Sequence, residues 1–377
     1  MARALQVRAL PFPQGCRPGG VDRRRFALAS ASLRAAPGAV LLDWSSTAAS
    51  SSEAGAFETC LSMAATELAD RTAAGDPLGL LLTDTWDAAC TEPKRPLLMG
   101  VLNVTPDSFS DGGRYLAATN ALEHGLAMER DGADILDVGG ESSRPGASPI
   151  SAEEELARVL PAIRALREQT QIPISIDTTK AVVAEQALGA GANRVNDISA
   201  GLADPAMLPL VARLGAGFVA MHSQGKPPEM QSDPRYVDPV AEVLEHLRER
   251  AAACLDAGID LDQLWLDPGI GFGKALDHNL ALLRRLPELR SLGCPLLLGV
   301  SRKSFIGHLS GAEKQEDWRT AKRLDQPSKR LGGTAAALVA CIQGGAEVLR
   351  VHDVAVMAET MTVALALQTT DQASPCC

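Results

Sequence analysis

From Leu97 onward the chain alternates short apolar runs with amphipathic stretches. The runs are Leu97–Asn103, Asp134–Gly140, Ile174–Asp177, Arg194–Ser199, Phe218–His222, Leu264–Gly269, Leu296–Ser301 and Val348–Asp353. Each is short, apolar and bounded by turn residues, as strands buried on both faces are. Helical periodicity fills the intervals: Ala118–Arg130, Glu153–Glu168, Ala181–Ala190, Pro205–Leu214, Val240–Ala257, Asn279–Leu289 and Thr334–Gln343, with Val354–Leu367 after the last run. Gly191, Gly258, Gly293 and Gly344 follow helical stretches, where a left-handed cap favours glycine. Eight strand–helix units predict an α/β fold, a (β/α)8 TIM barrel. The rival is an open, doubly wound sheet. A dinucleotide-binding one would carry G-x-G-x-x-G after its first strand, whereas here Asn103 leads into Thr105-Pro106-Asp107.

Upstream of Leu97 the pattern is weaker, which predicts an N-terminal extension over 1–96, the barrel over 97–370 and a tail over 371–377. A Ser/Ala-rich linker spans Ser45–Gly55. Phe57–Ala74 reads as an amphipathic helix and Leu78–Leu82 as a buried strand. Pro93 and Pro96 bracket the boundary.

Charge separates the same two parts. The chain of 377 residues has 36 basic and 46 acidic residues, a net charge of −10. Residues 1–96 are balanced, so the whole excess of acid belongs to residues 97–377. A general nucleic-acid binder is usually basic, so nucleic acid is set aside as a partner. The first 36 residues hold seven arginines and one acid, Asp22. This composition fits a locally basic arm better than an organellar targeting segment or a twin-arginine signal. No stretch of about 18 uncharged apolar residues suggests a membrane span. The eight cysteines form no C-x-x-C pair, and Cys254 and Cys341 sit on apolar helical patterns. Reduced, buried thiols and a cytoplasmic location are the plain reading.

Every predicted strand ends in polar residues: Asn103; Asp137 with Glu141; Asp177; Asn196 with Asp197; His222; Asp267; Ser301 with Lys303; Arg350 with His352. One such carboxylate often only caps the next helix. Eight polar ends converging without partners would cost on the order of several kcal/mol each in desolvation unless they faced a wet cleft. That end of a barrel is where active sites lie. Asp177, Asn196 and Asp267 offer acceptor edges suited to a planar heterocycle bearing N–H donors. Lys303 and Arg350 add cations, and Arg350 can stack on a flat ring. Asn103, Arg350 and His352 together suit a phosphate-like leaving group with a hard cation. None of Ser142, Ser143, Ser301 and Ser304 shows a His–Asp relay, so direct transfer between two bound substrates fits better than a covalent intermediate. The loops Thr105–Arg114 and Glu141–Gly146 are rich in Gly, Ser and Asp, as mobile lids are.

Longer strings carry a specific resemblance. Met99–Gly113, with Asn103-Val-Thr-Pro-Asp-Ser-Phe109 at its centre, and Asp137-Val-Gly-Gly-Glu-Ser-Ser-Arg-Pro-Gly146 resemble the two signatures of the dihydropteroate synthase family. Ser175-Ile-Asp-Thr178, Asn196-Asp-Ile198, Leu266-Asp-Pro-Gly-Ile-Gly-Phe-Gly-Lys274, Ser301-Arg-Lys-Ser304 and Arg350-Val-His-Asp353 match its later motifs in order. The resemblance covers Leu97 to Leu367. It implies a transferase that joins a dihydropterin-methyl diphosphate to p-aminobenzoate, a sulfonamide target, with Mg2+ as cofactor and a homodimeric assembly. By motif, Asp177, Lys303, Arg350 and His352 would be catalytic. Asp177, Asn196, Asp267 and Lys303 would bind the pterin, with Arg350 stacked on it. Asn103, Arg350 and His352 would hold the diphosphate, the metal lying at Asn103. Phe109, Ser143, Arg144, Pro145, Phe272, Lys303 and Ser304 would shape the aminobenzoate pocket.

Three features depart from the family pattern. Ser143 stands where threonine is usual, keeping the hydroxyl and losing a methyl. Leu309–Lys329 is longer and more charged than in compact members. Residues 1–96 exceed the usual lead. Two rivals share the fold: a methyltransferase acting on a methylated folate or pterin, and a non-catalytic pterin-binding paralogue. The first would not need Ser301-Arg-Lys-Ser304 or Arg350-Val-His352, and the second could have lost Asn103, Lys303 or His352.

Overall fold

A computed structural model describes residues 5–10, 23–30, 39–45, 95–104, 113–142, 148–225, 230–231, 233–311 and 327–368. Strands β1 (Leu5–Leu10), β2 (Arg23–Ser30) and β3 (Ala39–Ser45) form a small antiparallel sheet. Its register aligns Val7 with Leu28 and Val40, and Ala9 with Phe26 and Leu42. The expected helix Phe57–Ala74 and strand Leu78–Leu82 lie outside the described residues.

The second sheet has eight strands: β4 (Leu97–Asn103), β5 (Ile135–Gly139), β6 (Ile174–Asp177), β7 (Arg194–Asp197), β8 (Gly217–Met221), β9 (Leu264–Asp267), β10 (Leu297–Leu298) and β11 (Val348–Val351). All neighbours are parallel, in the order β10-β11-β4-β5-β6-β7-β8-β9. An isolated parallel bridge, Leu266 to Leu296, links the two edges of the sheet. The sheet therefore curls into the predicted barrel. Helices α1 (Gly113–Arg130), α2 (Ala152–Gln169), α3 (Ala181–Gly189), α4 (Met207–Leu214), α5 (Pro239–Asp256), α6 (Leu276–Arg284), α7 (Leu286–Leu289), α8 (Ser304–Gly311), α9 (Leu331–Gln343) and α10 (Val354–Gln368) lie between and after the strands. No described helix is long and apolar enough to cross a membrane.

Alternation along the strands sorts side chains into two cores. Leu98, Leu102, Leu136, Val138, Ile174, Ile176, Leu264 and Leu266 pack outward with the helices. Met99, Ile135, Val219, Trp265, Leu297 and Val348 form a separate cluster, the floor of the barrel interior. Arg194 caps that floor, its guanidinium 3.6 Å from the Trp265 ring centroid. Counting two residues on from Ile135, Trp265 and Val348 of this floor reaches Asp137, Asp267 and Arg350, and a further step along β5 and β11 reaches Gly139 and His352. The alternation that builds the core thus also delivers the polar residues.

The structure departs from the periodicity at several points. The expected helix Asn279–Leu289 divides at Arg285, because Pro287 donates no hydrogen bond and crowds the preceding turn. Strand β10 has two residues rather than six, since the chain turns back beyond Leu298: Lys303 N–H reaches Val300 O, and Arg302 adopts φ 58°. Gly191, Gly258 and Gly293 take the left-handed conformation, but Gly344 does not. Gly345, at φ 85°, takes that role.

Candidate active site

The strand ends hold one connected polar network. Arg350 of β11 donates from Nε to Asp137 Oδ2 at 2.6 Å and from Nη2 to Asp177 Oδ2 at 2.8 Å. Asn196 of β7 donates its amide to the same Asp137 oxygen at 3.0 Å. Four strands are tied in this way, and Asp137 is wholly buried. Burial would depress the Arg350 pKa, but Asp137 and Asp177 more than offset it and raise it further. Burial raises the Asp177 pKa, Arg350 pulls it down, and the neighbouring Asp137 pushes it up again. Two carboxylates thus share one fixed cation.

The network leaves acceptors open. Asp177 Oδ1 and the Asn196 carbonyl oxygen have no hydrogen-bond partner among the described residues. Asp267 Oδ1 accepts from Gly269 N–H at 2.7 Å, leaving Oδ2 open. Burial pushes Asp267 up to about 6, against the pull of the Gly269 N–H, Lys303 and Arg350. Three open acceptors from three strands match the N–H donors of a planar heterocycle. The capping alternative for Asp177 fails, because Asp204 Oδ2 accepts from Ala181 N–H at the start of α3.

A second group lines the opposite strands. Lys303 Nζ sits 4.0 Å from the Phe272 ring centroid. Burial lowers its pKa to about 8, partly countered by Asp267. Ser304 is exposed and opens helix α8. His352 contacts Ser301 Oγ through Nδ1 at 3.1 Å. Burial, then Arg350, lowers the His352 pKa to about 3, so its imidazole is neutral. Asn103 ends β4 half-buried, without a side-chain partner among the described residues.

Other strand-end residues serve the scaffold. Asp197 binds the Ser199 and Gly201 N–H groups at 2.7 and 2.9 Å. Glu141 and Glu155 share Lys180. His222 turns onto Lys274 Nζ, 2.8 Å from Nδ1, and stacks edge-on with His246. Phe109, Ser143, Arg144, Pro145 and most of Leu309–Lys329 lie outside the described residues.

Sequence reading missed two parts of this construction. By pattern Asp137 is one strand end among eight, although an acid at an inward position between Leu136 and Val138 needs a partner. Nor does the pattern single out Lys274, which is 2% exposed and donates to Phe272 O at 3.0 Å. With Tyr236 O–H on Gly273 O at 2.9 Å and Gln231 on Gly271 O, this lysine fastens the turn that carries Asp267 and Phe272. Glycines in that turn permit its path: Gly269 has φ 66°, and a Cβ there would overlap the His222 carbonyl oxygen.

Comparison with known proteins places these residues in context. A family model described as pterin binding enzyme matches residues 99–352. The dihydropteroate synthase of Synechocystis sp. is 46% identical over 276 residues, spanning 73% of this chain and 91% of the relative. That of Escherichia coli K12 is 45% identical over 268 residues, spanning 71% of this chain and 90% of the relative. Among solved structures, Xanthomonas albilineans dihydropteroate synthase with 4-aminobenzoic acid matches with TM-score 0.67 and 45% identity, over 74% of this chain and 96% of the other. The same enzyme in complex with 7,8-dihydropteroate matches with TM-score 0.64 and 42% identity, over 74% and 96% of the two chains. A barrel with this strand-end network and this extent of identity belongs to the pterin-binding enzyme family, among the dihydropteroate synthases.

Proposed function

We propose that the chain condenses 6-hydroxymethyl-7,8-dihydropterin diphosphate with p-aminobenzoate, giving 7,8-dihydropteroate and pyrophosphate. The observation that carries this reading is the set of three open acceptors, on Asp177, Asn196 and Asp267, beside the immobilised Arg350. These acceptors receive the pterin N–H groups, and the Arg350 guanidinium lies against the ring. In the reaction the pterin methylene–oxygen bond breaks, its electron pair leaves with pyrophosphate, and the amine of p-aminobenzoate forms the new C–N bond and then loses a proton. Asp177 and Asp267 stabilise the positive charge that spreads over the pterin, while Arg350 and His352 stabilise the departing anion. No serine needs to act as nucleophile: the carboxylate nearest in sequence to His352, Asp353, is engaged by Arg302 at 2.9 Å.

Phe272 and the Lys303 stem form one wall for the aminobenzoate ring. Ser304, at the start of α8, suits its carboxylate, since helix N-termini favour anions. Phe109, Ser143, Arg144 and Pro145 complete the pocket in this reading. Xanthomonas albilineans dihydropteroate synthase bound to 4-aminobenzoic acid supports it, as does the Yersinia pestis enzyme with a sulfonamide drug. A free neutral amide oxygen on Asn103 fits Mg2+, which takes most of its ligands from phosphate and water. Asn103 would hold the ion, which would neutralise charge on the diphosphate.

The domain division at residues 96 and 97 and the tail from 371 belong to the same proposal. A homodimer is supported by an exposed apolar stripe, Val356, Val363 and Leu367, on α10. Buried thiols at Cys254 and Cys341, neither in a disulfide, support a cytoplasmic, reducing location. The methyltransferase and paralogue readings are disfavoured by the intact Ser301–Ser304 and Arg350–His352 motifs. Release of pyrophosphate that requires both pterin diphosphate and p-aminobenzoate, with competition between sulfonamide and p-aminobenzoate, is the expected result. No release with both substrates present, or release from the pterin diphosphate that p-aminobenzoate does not change, would overturn it.

A further inference from the structure

We propose that Ser301 is a positioning residue that fixes His352 in the tautomer carrying its proton on Nε2. A neutral imidazole then presents a single N–H donor to the departing diphosphate. The inference deepens the reading above, since it takes His352 to face that anion.

The argument begins with the Ser301 hydroxyl, in a residue 4% exposed. Its oxygen accepts the backbone N–H of His352 at 3.2 Å and lies 3.1 Å from His352 Nδ1. Its own proton has no other acceptor among the described residues. If Nδ1 were bare, the hydroxyl would donate to it and every group would be paired. If Nδ1 carried a proton, the oxygen would receive two N–H groups and its buried O–H would be orphaned, which folded proteins rarely allow. The second arrangement would also turn the bare Nε2 lone pair towards the site, where an anion is to be held. The ring nitrogen opposite a hydrogen bond takes its role from that bond.

The surroundings keep the ring neutral and the pair in register. Burial is the largest cause of the low His352 pKa, and Arg350, Arg302 and Lys303 add to it. Asp353 opposes them, but Arg302 occupies that carboxylate. The Arg302–Asp353 pair ties the turn after β10 to the end of β11, and Arg302 N–H is held by Thr334 Oγ1 at 3.1 Å. Ser301 and His352 therefore sit just beyond two adjacent strands, braced beside them.

Imidazole nitrogen spectra of the full chain labelled with 15N-histidine test the inference; the His352→Gln spectrum assigns the signal among the six histidines. In the wild type, with and without pyrophosphate, His352 is expected to show a protonated Nε2 and a bare Nδ1. Ser301→Ala should give a mixture of tautomers. It should also lower kcat about five- to tenfold, the effect of one modest hydrogen bond, with KM for p-aminobenzoate unchanged. Ser301→Thr, which keeps the hydroxyl, should restore both. A wild-type His352 protonated on Nδ1, or an alanine variant with an unchanged tautomer, overturns the proposal. The wild-type spectrum decides even if the alanine variant does not fold. A fixed Nε2–H tautomer in a protein without coupling activity would refute the assigned reaction and leave the role of Ser301 standing.

Discussion

Asp267 and Lys303 are coupled electrostatically, and burial brings their ionisations close together, at about 6 and about 8. The chemistry needs the first ionised and the second cationic. Activity of the free enzyme should therefore rise through about pH 6 and fall above about pH 8. Lys303→Arg, whose guanidinium does not titrate in this range, should move the upper limb beyond pH 9. A pH profile of kcat/KM with an unmoved upper limb would assign that limb to another group. Stability follows the opposite sense. The folded pKa of Asp267 exceeds its unfolded value of about 3.9, so its contribution is fully present below pH 4 and is lost as pH rises through 6. Asp267→Asn, which keeps an acceptor for Gly269 N–H, should become progressively more stable than wild type between pH 4 and pH 7. Denaturant midpoints across that range would reveal it.

Asp177 gives a sharper test of chemistry against scaffold. Asp204 caps α3, so Asp177 is free of that duty. Asp177→Asn keeps the size and loses the charge, while Asp137 still holds Arg350. Turnover should fall about 10²–10³-fold, the usual loss for one preorganised electrostatic partner of a transition state. The thermal midpoint should stay within a few degrees. Near-normal turnover would remove Asp177 from the site.

At the scale of the element, the turn from Asp267 to Lys274 places an acid and an aromatic ring together. It is held by Lys274, Tyr236 and Gln231 and lies against the backbone of His222 and Gln224. Gly269→Ala introduces a Cβ where φ is positive and a carbonyl is already in contact. The expected cost is about 2–3 kcal/mol of stability, combining left-handed strain and overpacking. Calorimetry should show a lower midpoint, and the displaced Phe272 should raise KM for p-aminobenzoate. An unchanged midpoint would mean that the turn relaxes freely.

For the whole molecule, the barrel is complete without residues 1–96. Its eight strands all lie from Leu97 onward, and the described network draws on none of the earlier chain. A protein beginning near Pro93 should therefore keep kcat and both KM values within about twofold. A folded but inactive truncation would give the extension a part in catalysis.

Local order in the chain determined a great deal. Apolar runs and helical periods specified eight parallel units, because i, i+2 and i, i+3/i+4 patterns are fixed by backbone geometry alone. The same alternation marked the strand-end residues from which the site is drawn, and family strings suggested their roles. The tertiary structure decided which of them meet. Arg350 and Asp137 are 213 residues apart, and only closure of the barrel brings a guanidinium to two carboxylates. Nothing in the local pattern distinguishes Asp177, left with an open acceptor, from Asp197, consumed by its own loop. Nor does it show that His222 turns onto a buried Lys274, or that Ser301 meets His352. Those outcomes depend on burial and on side chains from distant strands. Desolvation and pairing act through space, so they become definite only when the sheet curls into a barrel.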